Sequence, residues 1–190
     1  MMKIPSRSKP IKKSPDEPMR LNKYVAHCGI CSRRQAADLV KSGKVLVNGK
    51  VESNPAYEVK PSDKISYDGK NIKPEEKKVY ILMNKPKDTI TTLKDERTRK
   101  TVIDLLEGKI EERVYPVGRL DRNTTGLLLL TNDGELSQKL SHPSHKAKKI
   151  YHVVLDKPLT KKHFEQITQG LMLEDGKAEV DGIDFVDGKK

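Results

Sequence analysis

Four consecutive leucines, residues 127–130, lie between Gly126 and the turn sequence Asn132-Asp133-Gly134. A short unbroken apolar run bounded by turn residues predicts a strand buried on both faces. Such a strand needs apolar layers around it, yet hydrophobic residues make up only 34% of the chain. The core must therefore draw on a few segments, and they stand out. "VYILMNKP", ended by Pro86, predicts another strand, which starts the second unit, and residues 101–106 a short helix. A helix is expected from the Asn132-Asp133-Gly134 turn through Leu140, and "KKIYHVVLD" reads as another strand. Thr160 is placed to cap a helix carrying Phe164 and Ile167, with Gly170 at its end and a hairpin after it.

The N-terminal half has a different texture. Residues 1–18 are rich in Pro, Ser and Lys with little to bury, and predict a disordered basic tail. Leu21, Tyr24, Val25 and Cys28 then recur at the i, i+3, i+4, i+7 spacing of an amphipathic helix that Gly29 can stop. Ser32 with Gln35 three residues on has the form of a capping box, opening a second helix with Ala36, Leu39 and Val40 inward and Gly43 beyond its end. "KVLVNGKV" places Asn48-Gly49, the dipeptide preferred in two-residue hairpins, between two strands, and "KISYDG" adds a last one. Residues 19–69 thus predict a helix–helix–β-hairpin module. The polar, proline-containing residues 70–78 predict a linker, and 79–190 a second, α+β unit on a mainly antiparallel sheet.

Charge narrows the partners. The formal net charge is +11, and Arg20, Lys23, Arg33, Arg34, Lys41 and Lys44 cluster on or beside the two predicted helices. Asp38 is the only acid between Arg20 and Lys44, so i, i+4 pairing leaves most of these cations unmatched. That is the footprint expected of a phosphate-binding face, and nucleic acid is the expected partner. No run reaches the roughly 20 apolar residues of a membrane span. The basic N-terminus has no apolar core after its charges, so no secretory signal is expected. With only Cys28 and Cys31, the expected compartment is the cytoplasm. Those cysteines form a C-x-x-C, but no second pair exists to complete a zinc site, and packing and turn roles are expected.

One aspartate is unusually placed. In "GRLDRNTTGLLLLTNDGEL", Asp121 sits between Arg119 and Arg122 on a glycine-bounded turn before the leucine run. It can be an ordinary turn residue. A calcium loop fits positions 1, 3, 5 and 6 of the EF-hand count but fails at position 12, which is Asn132 rather than a glutamate. The third reading is a carboxylate held to act as nucleophile or base, with Leu120 as inward anchor, the leucine strand as a rigid base, and Arg119 and Arg122 keeping it charged. Residue chemistry alone leaves the first and third open.

Two resemblances bear on that choice. "RLNKYVAHCGICSRRQAADLVKSGKVLVNGK" resembles the S4 domain, a small RNA-binding fold, over residues 19–69. "GRLDRNTTGLLLLTNDGEL", with "LMNKPK" upstream and "KKIYHVVL" downstream, resembles the RsuA/RluB group of ribosomal RNA pseudouridine synthases, which carry an N-terminal S4 domain. The resemblance implies isomerisation of a uridine, more specifically in large-subunit 23S rRNA, with Asp121 as the essential carboxylate. It implies that Tyr151 stacks on a flipped base and Arg119 holds the flipped nucleotide. No metal or other cofactor is implied, and the expected partner is ribosomal RNA or a pre-ribosomal particle, with no membrane and a monomeric enzyme. The rival expectation is an S4-type rRNA-binding factor without chemistry. The chain departs from the group twice. Asp88 stands where the group usually has glycine, and the arginine-rich segment of the type "GRNRQVRRM" is absent before Lys190, so a C-terminally truncated catalytic unit is expected.

Overall fold

The computed structural model describes residues 18–145 and 147–186, and the predicted tail lies almost wholly outside them. The chain divides into two compact units, Met1–Ala147 and Lys148–Lys190.

The first unit opens with β1 (Met19–Arg20), α1 (Leu21–His27) and α2 (Arg33–Lys41). Helix α1 stops where Cys28 leaves helical geometry and Gly29 turns to φ +77°, a conformation that glycine adopts without steric cost. The capping box of α2 forms as read: Gln35 N donates to the Ser32 hydroxyl, and the Gln35 side chain accepts from Ser32 N. Strands β2 (Val45–Val47) and β3 (Lys50–Val51) meet across Asn48 and Gly49, both at positive φ, the geometry of a two-residue hairpin. A short β4 (Glu58–Val59) pairs with β1. Strands β5 (Ile65–Tyr67) and β6 (Lys70–Asn71) turn the same way through Asp68-Gly69, completing a four-stranded sheet of order β3-β2-β5-β6. Leu21, Val25, Ala36, Val40, Val45, Val47, Val59 and Ile65 form one buried core, so the helices lie on this sheet.

The second sheet holds the leucine run. Strands β7 (Tyr80–Lys85) and β8 (Tyr115–Val117) flank β9 (Gly126–Thr131) in the order β7-β9-β8, both antiparallel to it. Strand β8 was not expected from sequence; Pro116 is tolerated because β8 is an edge. The leucine run is not buried on both faces as predicted. Strand side chains alternate, and a core of Val102, Leu106, Val114, Leu128 and Leu130 covers one face only. Leu128 and Leu130 are buried, each contributing roughly 1.5–3 kcal/mol by leaving water. Leu127 on the opposite face is 70% exposed, and Leu82 beside it is 67% exposed.

The predicted short helix is a single 3-10 turn, Asp104–Leu106, and α3 (Gly134–Ser141) follows β9 with Asp133 as its N-cap. In the second unit, α4 (Lys161–Gln169) is capped by Thr160, and β10 (Leu171–Leu173) pairs with β11 (Gly176–Ala178). The strand expected in "KKIYHVVLD" does not form. A β-rich pattern becomes a strand only when a neighbour supplies the ladder, and among the described residues none does; Ile150, Tyr151, Val153, Val154 and Leu155 are all exposed.

Candidate functional site

Asp121 sits on the loop between β8 and β9, exposed along with Arg119 and Arg122. Among the described residues no donor engages its carboxylate, which faces solvent from a loop whose backbone is fixed on both sides.

The first tether is Thr91. Its hydroxyl donates to the Leu120 carbonyl at 2.8 Å and accepts from Leu120 N at 3.2 Å, so both backbone groups of the residue before Asp121 are held. The Leu120 side chain packs on the second core, as its sequence position suggested. The second tether is Lys85. Its ammonium is fully buried and donates to three carbonyls: Thr89 at 2.8 Å, Pro86 at 3.0 Å and Arg122 at 3.1 Å. Three N–H groups meet three acceptors, so the buried charge is fully satisfied. Thr89 N adds a 3.3 Å bond to the same Arg122 carbonyl. The chain before and after Asp121 is thus anchored to one turn, residues 85–91.

Sequence reading passed over Lys85 although a signal was present. On β7 the alternation puts Ile81, Met83 and Lys85 on the face that covers Leu128 and Leu130. A lysine at an inward strand position is rarely buried unless something holds it.

The electrostatics differ from the expected pair of arginines around a carboxylate. Arg122 Nε donates to Asp88 Oδ1 at 2.6 Å, and its Nη2 reaches the same oxygen, so its charge is matched by Asp88 rather than left to act on Asp121. Asp88 adopts φ +60°, the left-handed region that glycine occupies freely. This conformation costs an ordinary L-residue roughly 1–2 kcal/mol, less for Asp. An exposed ion pair contributes about 0–1 kcal/mol, so the pair does not gain its place through stability. Arg119 remains the cation on this loop without an acidic partner among the described residues.

The loop between Ile90 and Thr101, whose ends meet in a single parallel bridge, is internally braced. Asp95 accepts from the backbone N of Arg97 and Arg99 and from the Arg99 guanidinium, which holds its carboxyl well below the usual range. At the far end of β9, Asp133 accepts from Lys78, from Tyr80 and from the backbone N of Glu135 and Leu136. Burial pulls that carboxyl up, but these bonds outweigh it and hold it at about 2.

Of the other predicted residues, Tyr151 belongs to the second unit, where it is 78% exposed. Arg20, Arg33, Arg34, Lys41 and Lys44 are exposed and Lys23 is half-buried, and among the described residues none of the six forms an ion pair. Lys23 and Arg33 act on one neighbour, His27: burial first, then their positive charges, lower its imidazole pKa. Cys28 is half-buried with its thiol donating to the Tyr24 carbonyl, and burial pushes it up to about 12, which suits packing rather than redox chemistry. Among the described residues no cluster of three His, Cys, Asp or Glu could hold a metal, and no helix is long and apolar enough to cross a membrane.

Two family models match the chain. Residues 19–65 match the S4 domain family, and residues 79–180 the RNA pseudouridylate synthase family. Ribosomal large subunit pseudouridine synthase B of Bacillus subtilis is 44% identical over 158 residues, covering 83% of this chain and 64% of that protein. An uncharacterised RNA pseudouridine synthase of Aquifex aeolicus is 43% identical over 170 residues, covering 88% of this chain and 68% of that one. The dual-specificity RNA pseudouridine synthase RluF of Escherichia coli is 37% identical over 159 residues, covering 83% and 53%. The chain thus spans about half to two thirds of these relatives' length. A crystal structure of a pseudouridylate synthase shares the fold at a TM-score of 0.50 and 24% identity, covering 90% of this chain and 74% of that one. An S4 domain followed by a unit of this kind, matched over most of the chain, makes the protein a member of the RNA pseudouridine synthase family.

Proposed function

We propose that this protein converts a uridine of ribosomal RNA, in the large-subunit 23S molecule, to pseudouridine, with Asp121 as the reacting carboxylate. The observation that carries the reading is an unengaged Asp121 carboxylate on a loop anchored at Leu120 and at Arg122. A carboxylate without internal partners is available to an incoming group, and a fixed backbone sets its direction. The identity to a large-subunit synthase of Bacillus subtilis favours the 23S assignment.

The chemistry is an isomerisation. The bond from ribose C1′ to N1 of the base breaks, the base rotates, and C1′ bonds to C5, whose proton is lost while N1 gains one. Atoms and electrons balance within the nucleotide, so the reaction calls for no external oxidant or reductant. Asp121 serves by attacking the base or the ribose, or by taking a proton. The glycosidic bond is out of reach in a stacked helix, so the nucleotide must be flipped out. Arg119 is assigned to hold the flipped nucleotide and Tyr151 to stack on its base. The S4 cations Arg20, Lys23, Arg33, Arg34, Lys41 and Lys44 supply sequence-independent affinity through phosphates. Residues 19–69 are assigned to the RNA-gripping module, whose sheet β6 (Lys70–Asn71) completes, the remainder of 70–78 to the linker and 79–190 to the catalytic unit.

The test is tritium release from 23S rRNA labelled at uridine C5, since only formation of the C1′–C5 bond expels that atom. Release by the parent and none by Asp121→Asn is expected. Tight binding with no release by either would favour the rival reading, an S4-type rRNA-binding factor without chemistry.

A further inference from the structure

The Asp88–Arg122 pair has no counterpart in the chemistry just assigned. It spans 34 residues of sequence and joins the two segments that frame Asp121. The same turn, residues 85–89, holds Arg122 twice: Lys85 and Thr89 bind its carbonyl, and Asp88 binds its guanidinium. Both side chains are more than half exposed, at 52% for Arg122 and 72% for Asp88, so the pair contributes little to folding. Asp88 nevertheless takes a left-handed backbone conformation to present its carboxylate there. A guanidinium beside a nucleic-acid site is ordinarily a phosphate ligand, because its fork matches phosphate oxygens. Here the Nε–Nη2 edge of that fork is already turned onto one oxygen of Asp88.

We propose that Asp88 is a positioning residue that withholds Arg122 from RNA phosphate and keeps it against the 85–89 turn, leaving Arg119 as the loop's cation for the substrate. The inference deepens the proposed function and rests on Asp121 being the reacting group. With Asp88 in place, Arg122 serves as a fixed post beside Asp121. Without the anion its side chain swings to the nearest phosphate, adds a contact to the RNA backbone and draws the loop with it. Binding then becomes tighter and more salt-sensitive while the chemical step slows.

The test is a double-mutant cycle of Asp88→Asn and Arg122→Gln, with in vitro transcribed 23S rRNA as the probe. Asparagine tolerates the left-handed conformation, so the first substitution removes the anion and keeps the turn; Asp88→Gly is the second form should the asparagine variant fold poorly. Binding is measured in an Asp121→Asn background, free of turnover. Asp88→Asn should steepen the log K against log salt slope by about 0.7–0.9, the value of one added phosphate contact. Arg122→Gln and the double variant should share one slope. With Asp121 restored, Asp88→Asn should lower the single-turnover rate at saturating RNA about threefold to tenfold. An unchanged slope, or a slope change that persists in the Arg122→Gln background, overturns the proposal. If no variant forms pseudouridine yet the slopes behave as stated, the catalytic reading fails and only the withholding of Arg122 from phosphate stands. If the parent is active and the slopes do not move, the reverse holds.

Discussion

Replacing Lys85 by methionine tests whether the buried ammonium is what fixes the Asp121 loop. Methionine nearly matches its length and is compatible with the apolar face of β7, so the main loss is three N–H donors. Pro86 and Thr89 lose the Lys85 donor that holds their carbonyls, while Arg122 retains the bond from Thr89 N. Leaving a buried acceptor unsatisfied costs about 1–3 kcal/mol, so two such groups give about 2–6 kcal/mol. Removing a charge from the interior offsets part of that, and water can reach the carbonyl of the exposed Pro86. The net expectation is a loss of about 2–4 kcal/mol. For a protein of this size it is read as a fall of roughly 4–16 °C in Tm. Lys85→Arg should also be destabilising, since a planar guanidinium cannot aim at three carbonyls converging on one point. At a temperature where Lys85→Met is fully folded, tritium release should still drop by about 100-fold, because an anchor lost 1 Å from productive geometry is costly. RNA binding through the S4 face should not change. A variant with parental Tm and parental rate would show that the three carbonyls do not hold the loop.

Asp121→Asn should leave 23S rRNA affinity within about twofold of the parent while ending release, since it removes the anion and keeps the shape. Arg33→Ala with Arg34→Ala should flatten the salt slope by up to about 1.8, if each arginine holds one duplex phosphate, with the rate at saturating RNA unchanged; an unaltered slope would mean that both are merely solvated. Asp133→Asn should remove an acid-sensitive part of the stability. The folded carboxyl sits at about 2, below its unfolded value near 4, so its contribution is complete above pH 4 and is lost as pH falls toward 2. That contribution is about 1–2 kcal/mol after solvent screening at Lys78. Urea unfolding at pH 7 and pH 2.5 should therefore separate parent from variant at the first pH and leave only about a third of that gap at the second.

What could be read from sequence is what local chemistry determines. Ser32 with Gln35, Gly29, Asn48-Gly49, Thr160 and Gly170 each set a cap or a turn within a few residues, and each stands where it was expected. The misreadings concern partners distant in sequence. Residues 127–130 are apolar on both faces of β9, but composition does not say how many layers cover a strand, and here Leu127 and Leu82 stay exposed. The "KKIYHVVLD" pattern holds strand propensity without saying where a ladder would come from. Asp121 was legible because its flanking glycines, arginines and leucines resemble a known motif. Its anchors were not, because Lys85, Thr91 and Asp88 meet the loop 29 to 37 residues away and only the fold brings them together. The partner of Arg122 was hidden for the same reason: it is Asp88, and nothing local announced it.

The central claim is that one carboxylate on this anchored loop performs the isomerisation. Single-turnover tritium release from C5-labelled 23S rRNA, with the protein expressed from its whole reading frame, addresses it most directly. The account predicts complete release of one equivalent per target uridine by the parent and none by Asp121→Asn at equal RNA occupancy. Release by Asp121→Asn within a few-fold of the parental rate would contradict it, and the reacting group would have to be sought elsewhere.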